Sequence, residues 1–237
     1  MLLDHCDTDP LDLLTAGAAA LGLHLDSRLL QQFRLYLREL KLWNARVNLT
    51  ALKTDREIVV KHFLDSLAVL PFLEPVPSLA DLGSGAGFPG LVLKLARPEM
   101  AVTLIEARAK KAAFLEYLAS ALQLSGVEVR PVHLTTSLAR RWGPQFAAVT
   151  SRATVALPRF LGLASPLLLP HGLLLALKGP KLSSGELETA QKDCDRLGLC
   201  SFKWHSYHLP VTGEPRLLVL ARKATPDLGE SGGLKEL

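Results

Sequence analysis

A glycine-dense segment, Asp81–Gly90, is the part of the sequence best suited to hold a ligand. It reads Asp-Leu-Gly-Ser-Gly-Ala-Gly-Phe-Pro-Gly and follows a short apolar run. Glycine permits positive φ and lets a ligand approach the main chain closely. In an open parallel sheet, ligands bind beyond the carboxyl ends of the strands. The segment therefore predicts a cofactor loop between a strand and a helix.

Two cofactor classes fit this loop. Gly85-x-Gly87-x-x-Gly90 matches the dinucleotide fingerprint, and Glu106 follows at about the spacing of 20 residues that this fingerprint requires. Asp81-x-Gly83-x-Gly85-x-Gly87 instead matches a methyltransferase loop, in which Glu106 accepts hydrogen bonds from the ribose of the cofactor. Asp81 favours the methyltransferase, because a carboxylate would repel a pyrophosphate but suits the positive charges of S-adenosylmethionine. The chain is also too short to add the substrate domain of a dehydrogenase.

Strand-like and helical segments alternate after the prolines at 71, 75 and 77. The predicted strands are 78–82, 101–106, 127–132, 146–151 and 172–178, with a closing hairpin of 199–208 and 215–222. The predicted helices are 88–96, 109–124, 135–142, 154–168 and 183–198. This alternation is typical of an α/β fold with a mostly parallel sheet and right-handed crossovers.

The region before this alternation is predicted to be helical and basic. Apolar residues recur at steps of three and four from Leu25 to Val47, behind a predicted N-cap at Asp26. A predicted capping box, Thr54–Glu57, starts a second helix. From Arg28 to Lys61, eight Lys and Arg residues accompany three acids. Such a patch attracts phosphate backbones, although a solvated helix face explains the charges equally well.

Composition excludes several other classes. The net charge is +4, and the three cysteines, Cys6, Cys194 and Cys200, form no C-x-x-C pair, which argues against a zinc site or a disulfide scaffold. We therefore expect no metal. The N-terminus lacks the basic flank of a signal peptide, and the longest apolar stretch, 161–177, is too short and too interrupted by proline to span a bilayer. We expect a cytoplasmic monomer without membrane contact.

Four stretches of the sequence resemble the RsmG (GidB) family, the bacterial small-subunit rRNA guanine-N7 methyltransferases. They are Leu42–Ala51, Lys61–Leu67, the Asp81–Gly90 loop with its Gly-Phe-Pro-Gly, and Thr150–Ala153 followed by Ala176–Gly179. The resemblance covers residues 25–222. It implies a Rossmann-like class I S-adenosylmethionine-dependent methyltransferase with a seven-stranded, mostly parallel sheet, an antiparallel final hairpin and an N-terminal helical extension. We therefore expect an N-terminal helical region at 1–74, a methyltransferase domain at 75–223 and a flexible tail at 224–237.

The resemblance also implies roles for individual positions. The expected cofactor-binding residues are Asp81, Gly83, Gly85, Gly87, Phe88, Glu106, Ala107, Arg108, Thr136, Ser137 and Arg152. Thr136 and Ser137 stand where the family usually has Ala-Glu beside the adenine, so the carboxylate expected there is missing. The expected RNA-binding residues are Arg34, Arg38, Lys41, Arg46, Lys61, Lys110 and Lys178.

The chemistry that the resemblance implies needs little from side chains. Guanine N7 has an exposed lone pair and can attack a sulfonium methyl group without first losing a proton. We therefore expect no general base, with Arg152 as the candidate to touch a cofactor carboxylate or a target phosphate. His62, Asp65 and Trp43 are expected to be structural. An NAD-dependent oxidoreductase and a non-catalytic ribosome-assembly factor that binds RNA remain the alternatives.

Overall fold

The computed structural model describes residues 9–152, 155–179 and 182–225. Cys6 and nearly all of the predicted tail therefore lie outside the described residues. Seven strands form one sheet in the order β3-β2-β1-β4-β5-β7-β6. The strands are β1 Ser78–Leu82, β2 Ala101–Ile105, β3 Val127–Arg130, β4 Phe146–Arg152, β5 Leu168–Lys178, β6 Leu199–His208 and β7 Pro215–Lys223.

The strand directions confirm the predicted topology. Strands β1 to β5 pair in parallel, and β7 runs antiparallel to both β5 and β6. The chain moves outward from β1 to β3 and then returns to place β4 on the other side of β1. This reversal creates a topological switch point next to the carboxyl end of β1, which is where open α/β sheets bind their ligands.

Helices cover both faces of the sheet. They are α1 Pro10–Ala20, α2 Ser27–Val47, α3 Asp55–Ile58, α4 Asp65–Leu67, α5 Gly90–Ala96, α6 Ala109–Ala121, α7 Thr136–Trp142, α8 Leu157–Ala164 and α9 Ser184–Arg196. A π-helical segment, Val59–Leu64, joins α3 to α4. No helix in the described ranges is both long enough and apolar enough to cross a membrane.

Local capping explains where the N-terminal helices begin. Asp26 Oδ1 accepts a hydrogen bond of 2.7 Å from the Leu29 amide at the start of α2. Thr54 and Glu57 make the reciprocal capping box that the sequence predicts for α3. Helix α1, which the apolar periodicity did not delimit, begins after the N-cap Asp9. The π-helical turn was not predicted, because its one-residue widening leaves no clear trace in an apolar pattern.

The N-terminal helices share a hydrophobic core with the sheet. Phe33 and Phe63 belong to the same buried cluster as Leu79 of β1 and Leu91 of α5. The opposite face of the sheet packs against α7, α8 and α9 in a second cluster. The N-terminal helices therefore pack against the sheet and α5 in one continuous core. The domain boundary at residues 74 and 75 stays a prediction.

Strand β5 begins at Leu168, four residues before the predicted start. Pro170 and His171 lie within the first part of this strand. The structure accommodates them because the pairing register of β4 and β5 shifts between Phe146 and Ala148. A bulge of this kind absorbs residues that cannot join the regular ladder. Helix α8 is correspondingly shorter than predicted.

Candidate functional site

The glycine loop lies at the switch point of the sheet. It connects the end of β1 at Leu82 to the start of α5 at Gly90. Gly83, Gly85 and Gly87 have φ values of 72°, 58° and 95°, all in the left-handed region. Residues other than glycine rarely adopt such conformations. The path of the backbone therefore requires glycine at these three positions.

The glycines of the loop serve two different purposes. A Cβ atom added to Gly85 would meet no closer atom than the Gly83 carbonyl oxygen at 3.8 Å, so open space lies above this residue. A Cβ added to Gly87 would lie 2.5 Å from the Tyr36 hydroxyl, and one added to Gly90 would lie 2.7 Å from Leu104. Gly85 thus leaves room for a ligand, whereas Gly87 and Gly90 permit close packing beneath the loop.

Glu106 orders this loop from the end of the neighbouring strand. Its Oε2 accepts a hydrogen bond of 2.9 Å from the Gly85 amide, and its Oε1 accepts one of 2.8 Å from the Arg108 amide. Only 7% of Glu106 is exposed, whereas Ala107 and Arg108 are exposed beside it. Each carboxylate oxygen can accept a further hydrogen bond, so Glu106 suits a ligand that carries hydroxyl donors.

Asp81 lies beneath the loop and has no exposed surface. Its Oδ2 accepts a hydrogen bond of 3.0 Å from the Gly90 amide, while its Oδ1 has no hydrogen-bond partner among the described residues. Burial raises the pKa of this carboxyl to about 7. We expected Asp81 to face the charges of the cofactor directly. Oδ2 of this carboxylate holds the first turn of α5, and the contact of Asp81 with a cofactor stays a prediction.

The ring of Phe88 also points inward. It stacks on Tyr36, with centroids 5.2 Å apart and an interplanar angle of 3°, and on His62 at 4.4 Å. Tyr36 donates a hydrogen bond of 2.6 Å to the Ala86 carbonyl of the same loop. The buried Phe88 ring therefore anchors the loop to the N-terminal helices, and the direct cofactor contact expected of it would have to come from its backbone.

The guanidinium of Arg152 is directed toward the N-terminal helices. Its Nη1 donates to the Lys61 carbonyl at 2.8 Å and lies 3.3 Å from Asp65 Oδ2, and its Nη2 lies 2.8 Å from His62 Nδ1. The guanidinium carbon is 5.0 Å from the centroid of Phe88. Arg152 ends β4 at the expected edge of the sheet, but its contacts connect it to structural partners. Its contact with a cofactor or phosphate stays a prediction.

Asp65 links the same cluster to the C-terminal hairpin. Its Oδ1 accepts a hydrogen bond of 2.8 Å from the Tyr207 hydroxyl and lies 3.6 Å from Arg216 Nε. On the other side of the cluster, His62 Nε2 lies 2.8 Å from Thr50 Oγ1. His62 and Asp65 thus connect β4, the C-terminal hairpin and Thr50 through hydrogen bonds and ion pairs. Sequence reasoning missed Tyr36, Tyr207 and Arg216, because only their three-dimensional packing connects them to the loop.

Thr136 and Ser137 are exposed in the first turn of α7. This turn follows β3, at the same edge of the sheet as Glu106. Thr135 is the N-cap, and its Oγ1 accepts from the Leu138 amide at 3.2 Å and lies 3.0 Å from Ser137 Oγ. The exposed hydroxyl groups are compatible with a ligand at this edge, and the contact of these residues with an adenine stays a prediction.

Ion pairs offset much of the positive charge expected to bind RNA. The pairs are Arg34–Asp9, Arg38–Glu39, Lys41–Asp55 and Lys61–Glu214, with separations of 2.6 to 3.2 Å. Arg46 and Lys110 are exposed. The side chain of Lys178 is only 12% exposed, and its Nζ donates to the Val155 carbonyl at 2.7 Å beside Glu186. The phosphate contact expected of Lys178 stays a prediction, and its Nζ would have to exchange the Val155 carbonyl for a phosphate.

The sheet order and the glycine loop define a Rossmann-like α/β fold. The structure is similar to that of a methyltransferase from Pyrococcus furiosus, with a TM-score of 0.56 and 15% sequence identity over 82% of this chain and 98% of that chain. This likeness supports the fold alone.

The sequence comparisons identify the family. The family model described as rRNA small subunit methyltransferase G (GidB) matches residues 29–212. A relative named ribosomal RNA small subunit methyltransferase G from Deinococcus deserti is 43% identical over 91% of this chain and 90% of its own length. Another with the same name, from Roseiflexus sp., is 41% identical over 92% and 93%. The chain belongs to the GidB family, which confirms the resemblance and disfavours the dinucleotide interpretation of the loop.

Proposed function

We propose that this protein is an S-adenosylmethionine-dependent methyltransferase that modifies N7 of a guanine in small-subunit (16S) rRNA. The observation that carries this proposal is the family match over residues 29–212, since the matching relatives are named as methyltransferases of that RNA. The loop supports the cofactor, because the open space above Gly85 and the carboxylate of Glu106 suit a nucleoside with ribose hydroxyl groups.

The residues of the site act by positioning. S-adenosylmethionine supplies an electrophilic methyl group, and guanine N7 carries its own lone pair, so no side chain has to remove a proton. Gly83 and Gly85 offer backbone to the cofactor, Glu106 holds the ribose end, and Asp81 keeps the loop in shape from below. Correct alignment of two reactants can contribute roughly 7–11 kcal/mol to a rate enhancement, which makes such an arrangement sufficient.

The target guanine has to leave regular A-form helix before it can react, because the narrow major groove of such RNA conceals N7. The exposed cations of α2 and α6, including Arg46 and Lys110, lie on the surface that we propose to contact RNA phosphates. We also infer that the protein acts as a cytoplasmic monomer. Light scattering with and without RNA would test its oligomeric state.

The proposal is tested by incubating the protein with isotope-labelled S-adenosylmethionine and either free small-subunit rRNA or assembled subunits. Mass spectrometry of the digested RNA should find the label in 7-methylguanosine. A label on another atom would contradict the N7 assignment. Cofactor binding without any transfer would favour a non-catalytic assembly factor, and calorimetric binding of NAD in place of S-adenosylmethionine would favour an oxidoreductase.

A further inference from the structure

The π-helical segment Val59–Leu64 places His62 between three separate parts of the site. Its imidazole stacks on Phe88 of the loop at 4.4 Å. Its Nδ1 lies 2.8 Å from Arg152 Nη2 at the end of β4, and its Nε2 lies 2.8 Å from Thr50 Oγ1. Short π-helical turns are rare and occur often at functional sites. One partly buried ring thus touches the cofactor loop and the strand end at which ligands bind.

The hydrogen-bond partners of His62 determine its protonation state. A guanidinium can only donate, so Nδ1 must accept the hydrogen bond from Arg152 with its lone pair. Nδ1 also lies 3.0 Å from the Lys61 carbonyl, but that oxygen takes its proton from Arg152 Nη1. The ring proton is therefore on Nε2 and is donated to Thr50. Burial, together with the positive charge of Arg152, lowers the pKa of His62 to about 3, so the ring stays neutral.

The arrangement differs from that of an ordinary buried histidine. A purely structural His62 would need only a hydrogen-bond partner for each of its two ring nitrogen atoms. Here the ring face supports Phe88, which carries the loop, while the ring edge fixes the direction of the Arg152 guanidinium. Asp65, three residues further along at the start of α4, pairs with Arg152 at 3.3 Å. The two contacts of His62 with the site are chemically different and can be removed separately.

We propose that His62 is a positioning residue with two separable tasks: its ring face holds the cofactor loop through Phe88, and its Nδ1 holds Arg152 for the methyl-transfer step. This inference rests on the proposed function, because the second task concerns the transfer of the methyl group. The first task concerns only the binding of S-adenosylmethionine.

Two substitutions separate these tasks. His62→Phe keeps an aromatic ring on Phe88 but removes the acceptor for Arg152. We expect it to bind S-adenosylmethionine within about twofold of the wild type and to lower kcat for rRNA methylation about tenfold or more, since a hydrogen bond to a charged group is lost. His62→Asn keeps an acceptor near the position of Nδ1 but removes the ring. We expect kcat at saturating cofactor to stay close to the wild type and the affinity for S-adenosylmethionine to fall about three- to tenfold, because aromatic stacking is lost.

This crossed pattern distinguishes positioning from general destabilisation. If His62 only fills the core, both variants should lose kcat and cofactor affinity in proportion to their loss of thermal stability, and the proposal is overturned. Wild-type values in both variants would overturn it equally. A double-mutant cycle adds a further check: in the background of Arg152→Lys, His62→Phe should cause little additional loss of kcat, because the two residues act as a unit. Independent, additive losses would contradict the coupling.

A final measurement does not depend on activity. Nitrogen-15 NMR of labelled imidazole should find His62 neutral, with the proton on Nε2 and an unprotonated Nδ1 that accepts a hydrogen bond, across the neutral pH range. A proton on Nδ1 or a charged ring would refute the contact with Arg152, whatever the RNA assay gives. If the wild type transfers no methyl group, the proposed function fails, whereas the NMR result and the cofactor affinities of the two variants still decide the arrangement inferred for His62.

Discussion

The clearest test of the loop is the replacement of Gly85 by valine. Gly85 has a φ of 58°, and an added Cβ would meet no protein atom closer than 3.8 Å. The folded protein can therefore hold the new side chain, but only in the left-handed conformation, which costs about 1–3 kcal/mol for residues other than glycine. In a protein of this size, each kcal/mol lowers Tm by about 2–4 °C.

The effect on the cofactor should be much larger than the effect on stability. The three carbon atoms of valine would occupy the space above the loop. One extra methylene in a packed contact costs about 1–3 kcal/mol, and about 1.4 kcal/mol corresponds to a tenfold change in affinity. We therefore expect the affinity for S-adenosylmethionine, measured by calorimetry, to fall about 100-fold or more.

Gly22→Val is the matched control. Gly22 has a φ of 74° and no heavy atom of the described chain within 4 Å of an added Cβ, but it follows α1, outside the loop. It should lose a similar amount of thermal stability and keep its cofactor affinity. If Gly85→Val and Gly22→Val bind S-adenosylmethionine equally well, the loop is not the cofactor site, and the reasoning from the open space above Gly85 is refuted.

Three further predictions concern the surroundings of the loop. Burial raises the pKa of Asp81 from 3.8 to about 7. The stability that protonated Asp81 contributes is therefore complete below pH 3.8 and is lost as pH rises through about 7. Urea unfolding of the free protein should show its free energy of unfolding falling over that range, and an equally steep fall in Asp81→Asn would contradict this. Tyr36→Phe leaves the Ala86 carbonyl without its 2.6 Å donor and should cost about 1–3 kcal/mol of unfolding free energy, with an unchanged Tm as the opposing result. Arg46→Ala should remove about one phosphate contact and so make the plot of log affinity for rRNA against log salt less steep. Arg196→Ala on α9 should leave this slope unchanged. Identical slopes in the two variants would show that Arg46 is not part of the RNA-binding surface.

Much of the architecture could be predicted because its signals are local. Strand and helix segments follow from apolar periodicity, and the starts of α2 and α3 follow from Asp26 and Thr54, whose side chains bond amides only three residues away. The glycine loop could be located for the same reason, since its positive φ values are a property of a few consecutive residues. The place of Glu106 could be predicted as well, because this residue stands at the end of the predicted strand 101–106.

The roles of the side chains at the site could not be predicted in this way. The sequence placed Asp81, Phe88 and Arg152 at the correct edge of the sheet, but it did not reveal that their side chains contact α5 and the N-terminal helices. Strand alternation determines which face a side chain occupies, and only the packing of distant segments determines what covers that face. His62 and Arg152 are 90 residues apart, and Asp65 and Tyr207 are 142 residues apart.

The sequence by itself thus determined the family, the order of the elements and the position of the cofactor loop, because these depend on residue types and spacings within single segments. The tertiary structure alone decided that Lys178 is covered, that a π-helical turn carries His62 onto Phe88, and that Arg152 is held by the N-terminal helices. The physical reason is that these contacts form only when helices from the first third of the chain pack over the carboxyl ends of strands formed much later.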